Sequence, residues 1–306
     1  MSVKVLMEKI REKNNPSVLG LDTRLEYVPE YMREDVYSKY GCSLDGAARA
    51  IFSLNKEVMD AISDLIPAVK IQTSFYELYG WYGMKAYCKT VHYAKSKGLY
   101  VITDTKRNDI ATSMDAYASA YLGSVQVRDM EFSPYGADAM TINPYFGGES
   151  IEPVLDVINK YDKSVFVTVK TSNPGTQDIQ DKLIDGKPLY SHIGKLCEEW
   201  GAKTKIEDGY SNVGALVGCT YPKEIAELRK EMPTSFFVVS GYGAQGGSAE
   251  DAVGAFDEKG EGAIVNASRA ILTAWQKENA PKFVGITARR VVMEMKDQLN
   301  RAIKNR

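Results

Sequence analysis

The 306-residue sequence has only two histidines, His92 and His192, and four cysteines, Cys42, Cys88, Cys197 and Cys219. Both histidines fall in helical-looking stretches, so a zinc site or a Ser-His-Asp triad has almost no material to draw on. The cysteines are scattered with no CxxC pair and read as free thiols of a reducing, cytoplasmic compartment. No apolar run approaches the roughly 20 residues that span a bilayer. Met1 to Lys9 carries acidic residues in an amphipathic pattern where a signal peptide would have an apolar block. Charge of one sign is also missing: 38 Lys+Arg face 40 Asp+Glu, a formal net charge of −2. That balance leaves no electrostatic footprint for nucleic acid or an anionic membrane. No GxGxxG follows the first strand-like run, which argues against a dinucleotide-binding sheet. No low-complexity linker or break in composition divides the chain, so residues 1–306 are read as one domain.

The composition that is present, 44% hydrophobic and 25% charged, is that of an ordinary globular protein. One alternation repeats along it. Eight short β-branched runs end in polar or glycine-containing turns: Ser17–Asp22, Ala68–Gln72, Tyr100–Lys106, Ala137–Asn143, Ser164–Thr171, Val213–Gly218, Phe236–Ser240 and Gly262–Asn266. Amphipathic stretches lie between them, at Leu44–Leu65, Phe75–Lys97, Ile151–Lys160, His192–Lys205, Pro222–Glu231 and Ala249–Lys259. Gly98 suits the position just past a helix end, and Pro222 the first turn of one. Eight such alternations over this length predict an α/β fold, a single (β/α)8 TIM barrel, with an open doubly wound sheet as the runner-up. Residues 31–46 and 175–190 are expected to be long loops or lids. A closing helix is expected over about 287–303.

Chemistry in such a barrel sits where the strands end. The third run reads Val101-Ile102-Thr103-Asp104-Thr105-Lys106-Arg107-Asn108-Asp109-Ile110. On a strand Asp104 and Lys106 share one face, and Val101, Thr103 and Thr105 the other. A buried strand does not carry a carboxylate and an ammonium side by side unless each has a partner or a function. Asp109 follows where the strand gives way to a loop. Alone, this cluster reads equally well as a structural ion pair. The other strand ends add Asp22, Lys70 with Gln72, Asn143, Ser172-Asn173-Pro174-Gly175, Gly241–Gly247 and Asn266-Ala267-Ser268-Arg269. The glycine-rich run lets backbone N–H groups approach an anion closely. Arg269 lies just past the next strand, where such barrels bind phosphate.

The spacing Asp104-x-Lys106-x-x-Asp109 resembles the signature of orotidine 5′-phosphate decarboxylases, and DTKRNDI is similar to that segment in the longer, bacterial-type branch. Gly20-Leu21-Asp22, Val69-Lys70, Ser172–Gly175, Gly243–Gly247 and Ser268-Arg269 match in the same order, so the resemblance spans residues 18 to 270. The sequence departs from the pattern at Ala111-Thr112-Ser113, where a Gly-Ser-Thr-like run is expected, and at Asn266, where glycine is common. The resemblance implies decarboxylation of orotidine 5′-monophosphate to UMP, with no metal and no cofactor, by a homodimer whose active sites are shared. It assigns Lys106, Asp104, Asp109 and Lys70 to catalysis, and Asp22 and Lys70 to the ribose side. Asp109 would reach the ribose in the neighbouring subunit, and Ser113 a 2′-hydroxyl. Ser172 would meet the pyrimidine edge, and Gln245 and Arg269 would clamp the phosphate. Asn143 and Gly246 complete the substrate-binding set.

That chemistry is physically consistent. Loss of CO2 from C6 leaves a poorly delocalised vinyl carbanion, so catalysis depends on placing charge. Lys106 fits as the cation that stabilises and then protonates C6, and Asp104 as the anion facing the substrate carboxylate. Three rivals remain at this stage. They are a Schiff-base aldolase using Lys170 or Lys106, a metal-dependent sugar-phosphate decarboxylase or epimerase, and an inactive barrel acting as a scaffold.

Overall fold

The computed structural model describes residues 1–306. Its centre is a closed barrel of eight parallel strands: β1 (Ser17–Leu21), β2 (Ala68–Gln72), β3 (Tyr100–Arg107), β4 (Ala139–Ile142), β5 (Ser164–Lys170), β6 (Val213–Gly218), β7 (Phe237–Ser240) and β8 (Ala263–Ala267). Each strand pairs with its neighbour in sequence, and β1 closes the ring against β8. The long helices are α1 (Val3–Lys13), α2 (Glu30–Tyr40), α3 (Leu44–Ile62), α4 (Gly80–Ser96), α5 (Ala111–Tyr121), α6 (Gly148–Tyr161), α7 (Leu189–Gly201), α8 (Pro222–Glu231) and α9 (Val284–Lys304). None of them is long and apolar enough to cross a membrane.

Apolar residues alternate along the strands between two cores. Val69, Ile71, Val165, Val167, Val217 and Val239 face outward and join the helices in the larger cluster. Val18, Ala68, Tyr100, Ile102, Phe166, Leu216, Phe236, Val238 and Ile264 fill the lower barrel, where Val3, Leu6 and Met7 of α1 close it like a plug. α3 shows how local sequence serves this packing. Ser43 caps it by accepting from the Gly46 N–H, 3.1 Å, and Ala47, Ile51, Leu54, Val58 and Ile62 form its buried stripe. Gly98, at φ +73°, ends α4 in a Schellman turn, with Leu99 N–H on the Ala94 carbonyl and Gly98 N–H on Lys95.

The eight strands fall where the sequence predicts, with ends shifted by one or two residues. Neither expected long loop is one. Residues 31–46 hold most of α2, which touches the core only through Met32 and Val36, and the start of α3. Residues 175–190 hold a helical turn, Thr176–Ile179, a hairpin at 183–188 and the start of α7. The stretch Phe75–Lys97 is divided at Gly80, φ +56°, into a short turn, Ser74–Glu77, and α4. The closing helix runs longer than expected, from Val284 to Lys304.

Candidate active site

The strands' C-terminal ends open into a cavity of about 430 Å³. Its floor is a row of alternating charges. Lys70 Nζ, on β2, lies 2.5 Å from Asp104 Oδ2 and 3.8 Å from Asp22 Oδ1; Lys106 Nζ lies 2.5 Å from Asp104 Oδ1. The side chains of Lys70 and Asp104 are each 4% exposed and that of Lys106 39%, so the row runs from barrel interior to open mouth. Burial pushes the Asp104 carboxyl up, but Lys70 and then Lys106 outweigh it and hold it well below the usual carboxylate range. Burial likewise pushes Lys70 down, and Asp104 and Asp22 raise it above the ordinary lysine value. Lys70 and Asp104 thus hold each other charged at the buried end of the row.

The alternation that should place Asp104 and Lys106 on one face is broken. Between Thr103↔Met140 and Arg107↔Ile142, β3 advances four residues while β4 advances two, and Lys106 takes the left-handed φ of +45°. A non-glycine residue held there costs about 1–3 kcal/mol, and such strain gathers at functional sites. The two charges still meet, because the bulge turns the lysine back over the carboxylate. Thr141 of β4, fully buried, closes the bulge. Its Oγ1 accepts from Lys106 N–H at 3.0 Å and donates to Asp104 Oδ1 at 2.8 Å.

The opposite wall is built by the loops after β5, β7 and β8. Ser172 Oγ donates to Gln245 Oε1 at 2.6 Å and joins two of those loops. Gly241, at φ +91°, begins a turn in which Gly243 N–H bonds the Gly247 carbonyl at 2.8 Å. Arg269 leans over this turn, with Nη2 2.8 Å from the Ala244 carbonyl. Two buried oxygens at the cavity wall, Asp22 Oδ1 and Asn266 Oδ1, accept no hydrogen bond. Each such orphan costs about 1–3 kcal/mol, and Asp22 Oδ1 is offset only by the Lys70 ammonium 3.8 Å away.

Of the residues predicted from sequence, Asp22, Lys70, Asp104, Lys106, Ser172, Gln245 and Arg269 line this one cavity. Asp109, Asn143, Ser113 and Gly246 do not. Asp109 lies past the bulge and receives the Ile110 N–H at 2.8 Å. Asn143 turns its side chain to the Tyr145 N–H at 3.0 Å, capping its own loop. Ser113 sits in the first turn of α5, and Gly246 is the outer corner of its turn, with nothing within 4 Å of a Cβ placed there. Arg24, Tyr27 and Phe75 also line the cavity and were not anticipated. They stand three to six residues beyond the ends of β1 and β2, so reading further past each strand reaches them. Lys170 is absent from the wall. A register shift against β6 skips Val169, and Lys170 pairs with Asp181 outside the barrel, between the rings of Tyr221, 4.3 Å away, and Tyr190, 5.0 Å away. No group of three His, Cys, Asp or Glu side chains is placed to hold a metal ion.

A closed parallel barrel with a charged array at its C-terminal rim and a glycine-rich turn beside an arginine has the architecture of a (β/α)8-barrel enzyme. The family model described as Orotidine 5'-phosphate decarboxylase / HUMPS family matches residues 43–282. The orotidine 5'-phosphate decarboxylase of Rhodopirellula baltica is 45% identical over 260 residues, 85% of this chain and 84% of that one. The one from Clostridium tetani is 38% identical over 296 residues, 96% of each chain. The solved Leishmania donovani OMP decarboxylase aligns with a TM-score of 0.70 at 26% identity, over 96% of this chain and 99% of that one. This chain belongs to the orotidine 5'-phosphate decarboxylase family.

Proposed function

We propose that the protein decarboxylates orotidine 5′-monophosphate to UMP, with Lys106 as the proton donor at C6 and Asp104 facing the substrate carboxylate. The observation that carries this reading is the unbroken row Asp22–Lys70–Asp104–Lys106 on the cavity floor, opposite Gln245 and Arg269. The C6–carboxylate bond breaks, CO2 leaves as a neutral molecule, and the bonding pair stays on C6 with the negative charge. Lys106 stabilises that pair and delivers a proton to it. Asp104, held ionised by Lys70, repels the substrate carboxylate in the ground state, and the repulsion disappears with CO2. Lys70 also separates Asp104 from Asp22. Arg269 and Gln245 take the phosphate, whose binding far from C6 supplies energy to order the loops. Ser172, already joined to Gln245, meets the pyrimidine edge.

The same reading makes the protein a cytoplasmic homodimer with shared sites, each subunit a single domain, and puts Asp109 on the partner's substrate and Ser113 on a 2′-hydroxyl. Asp109 is not among the residues lining its own cavity, and the neighbouring Ile110, Tyr145 and Phe146 are 51%, 86% and 51% exposed, an apolar rim suited to burial against a second copy. The aldolase alternative is weakened at Lys170, which is committed to Asp181. Loss of orotidine monophosphate absorbance in the presence of EDTA tests the proposal. Metal-independent turnover is expected. EDTA-sensitive turnover would point to the sugar-phosphate relatives, and substrate trapped by borohydride to an aldolase.

A further inference from the structure

We propose that Thr141 is a positioning residue that sets the Asp104–Lys106 pair in its reactive geometry, a role that rests on the decarboxylase reading above. A lysine two residues after an aspartate on a regular strand would project parallel to it, and the two side-chain ends would be free to part. Here the strand is bulged, and the bulge needs a partner for the Lys106 N–H, which the altered register takes off the ladder. The Thr141 hydroxyl is that partner, 3.0 Å away. Its one proton goes to Asp104 Oδ1, 2.8 Å away, the same oxygen that Lys106 Nζ approaches at 2.5 Å. One hydroxyl thus fixes the lysine's backbone and orients the carboxylate that receives its ammonium. Its only donor proton is committed, and it is fully buried, so water has no access to compete. Thr105 Oγ1 also braces this strand, donating to the Thr141 carbonyl at 2.9 Å, but it touches neither charge.

These contacts separate a positioning role from a merely structural one. Thr141→Val keeps shape and removes the hydroxyl; Thr141→Ser keeps the hydroxyl; Thr105→Val removes bulge support without touching the charges. In T141V, kcat should fall about 10- to 100-fold, the size of a lost hydrogen bond to a charged group, with KM changed by less than about threefold. Exchange of the C6 proton of UMP with deuterium, which reports on Lys106 at C6 without CO2 loss, should fall in parallel. T141S and T105V should stay within about threefold of wild type in both readouts. A T141V enzyme with wild-type kcat and exchange overturns the role, as does a T141S or T105V loss as deep as that of T141V. If T141V does not fold, T141A is judged by the same outcomes. A wild-type protein with no turnover overturns the decarboxylase reading and this role with it, whereas an active wild type beside an equally active T141V overturns this role alone.

Discussion

At the scale of single residues, the site is a row of four alternating charges of which the inner two, Lys70 and Asp104, are buried, and two predictions follow from how they are paired. In the proposed reaction Lys106 is needed mainly as charge gathers on C6. Lys106→Ala should therefore abolish turnover while UMP still binds, which steady-state kinetics and calorimetry would check. A near-normal kcat with only a raised KM would remove the role given to it. The second prediction concerns pH. Asp104 is held below the ordinary carboxylate value, so its stabilisation is present above about pH 4 and lost only as pH falls through its lower folded value. Lys70 is raised, so its share is present below about pH 10.4 and lost as pH rises through its higher folded value. Between those limits neither group titrates in the intact protein. Asp104→Asn strands Lys70, buried to 3% exposure, without its nearest anion, at a cost of about 3–5 kcal/mol. A stranded buried lysine sheds its proton as pH rises. The stability deficit, read from urea unfolding, should thus be larger at pH 6 than at pH 9, and a deficit that grows with pH would contradict the pairing. The sequence disclosed the pair through its spacing. It gave no sign of the bulge, because a left-handed lysine is stabilised by Thr141 from another strand and by nothing in its own neighbourhood.

Elements explain which parts of the fold were legible. The strands were, since β-branched runs bounded by polar turns report directly on burial inside a barrel. α2 was not. Only Met32 and Val36 reach the core, so the helix carries no apolar stripe for periodicity to find. α5 was missed for a related reason: its buried residues, Met114, Ala118 and Tyr121, are spaced for a helix but lie among Ser, Thr, Asp and Ala. The segment after β5 is ordered by contacts that no local pattern encodes, with Gln180 Oε1 accepting the Thr171 N–H at 2.9 Å and Asp181 paired with Lys170. The turn Gly241–Gly247 is joined to Arg269 by the bond to the Ala244 carbonyl, and as the proposed phosphate clamp it carries the third prediction. Arg269→Ala should weaken a nucleotide inhibitor by about 1.5–3 kcal/mol, roughly 10- to 150-fold, and leave the matching nucleoside nearly unchanged. Competition assays with the two ligands distinguish the cases, and equal losses for both would mean that Arg269 does not meet the phosphate.

For the whole molecule, the question is why some matched motif residues stand away from the cavity that the others share. Asp22, Lys70, Asp104 and Lys106 converge because a closed barrel brings its strand ends together whatever their separation in sequence. Asp109 belongs to the same six-residue motif, yet its side chain is outside that convergence, at a rim where Ile110, Tyr145 and Phe146 are exposed. A twofold assembly would account both for the acidic motif residue outside the cavity and for the uncovered apolar surface beside it. The apolar rim would be buried, and each Asp109 would enter the other subunit's cavity. Subunit mixing provides the test. Asp109→Ala and Lys106→Ala proteins should each be inactive alone. After random exchange about half the dimers are mixed, and in each of these one site carries both defects while the other is intact. Activity should therefore recover to about a quarter of wild type, as expected for sites built from two chains. If exchange is verified and activity stays at the level of the separate variants, Asp109 acts within its own chain, and its loop must fold back over the cavity to do so.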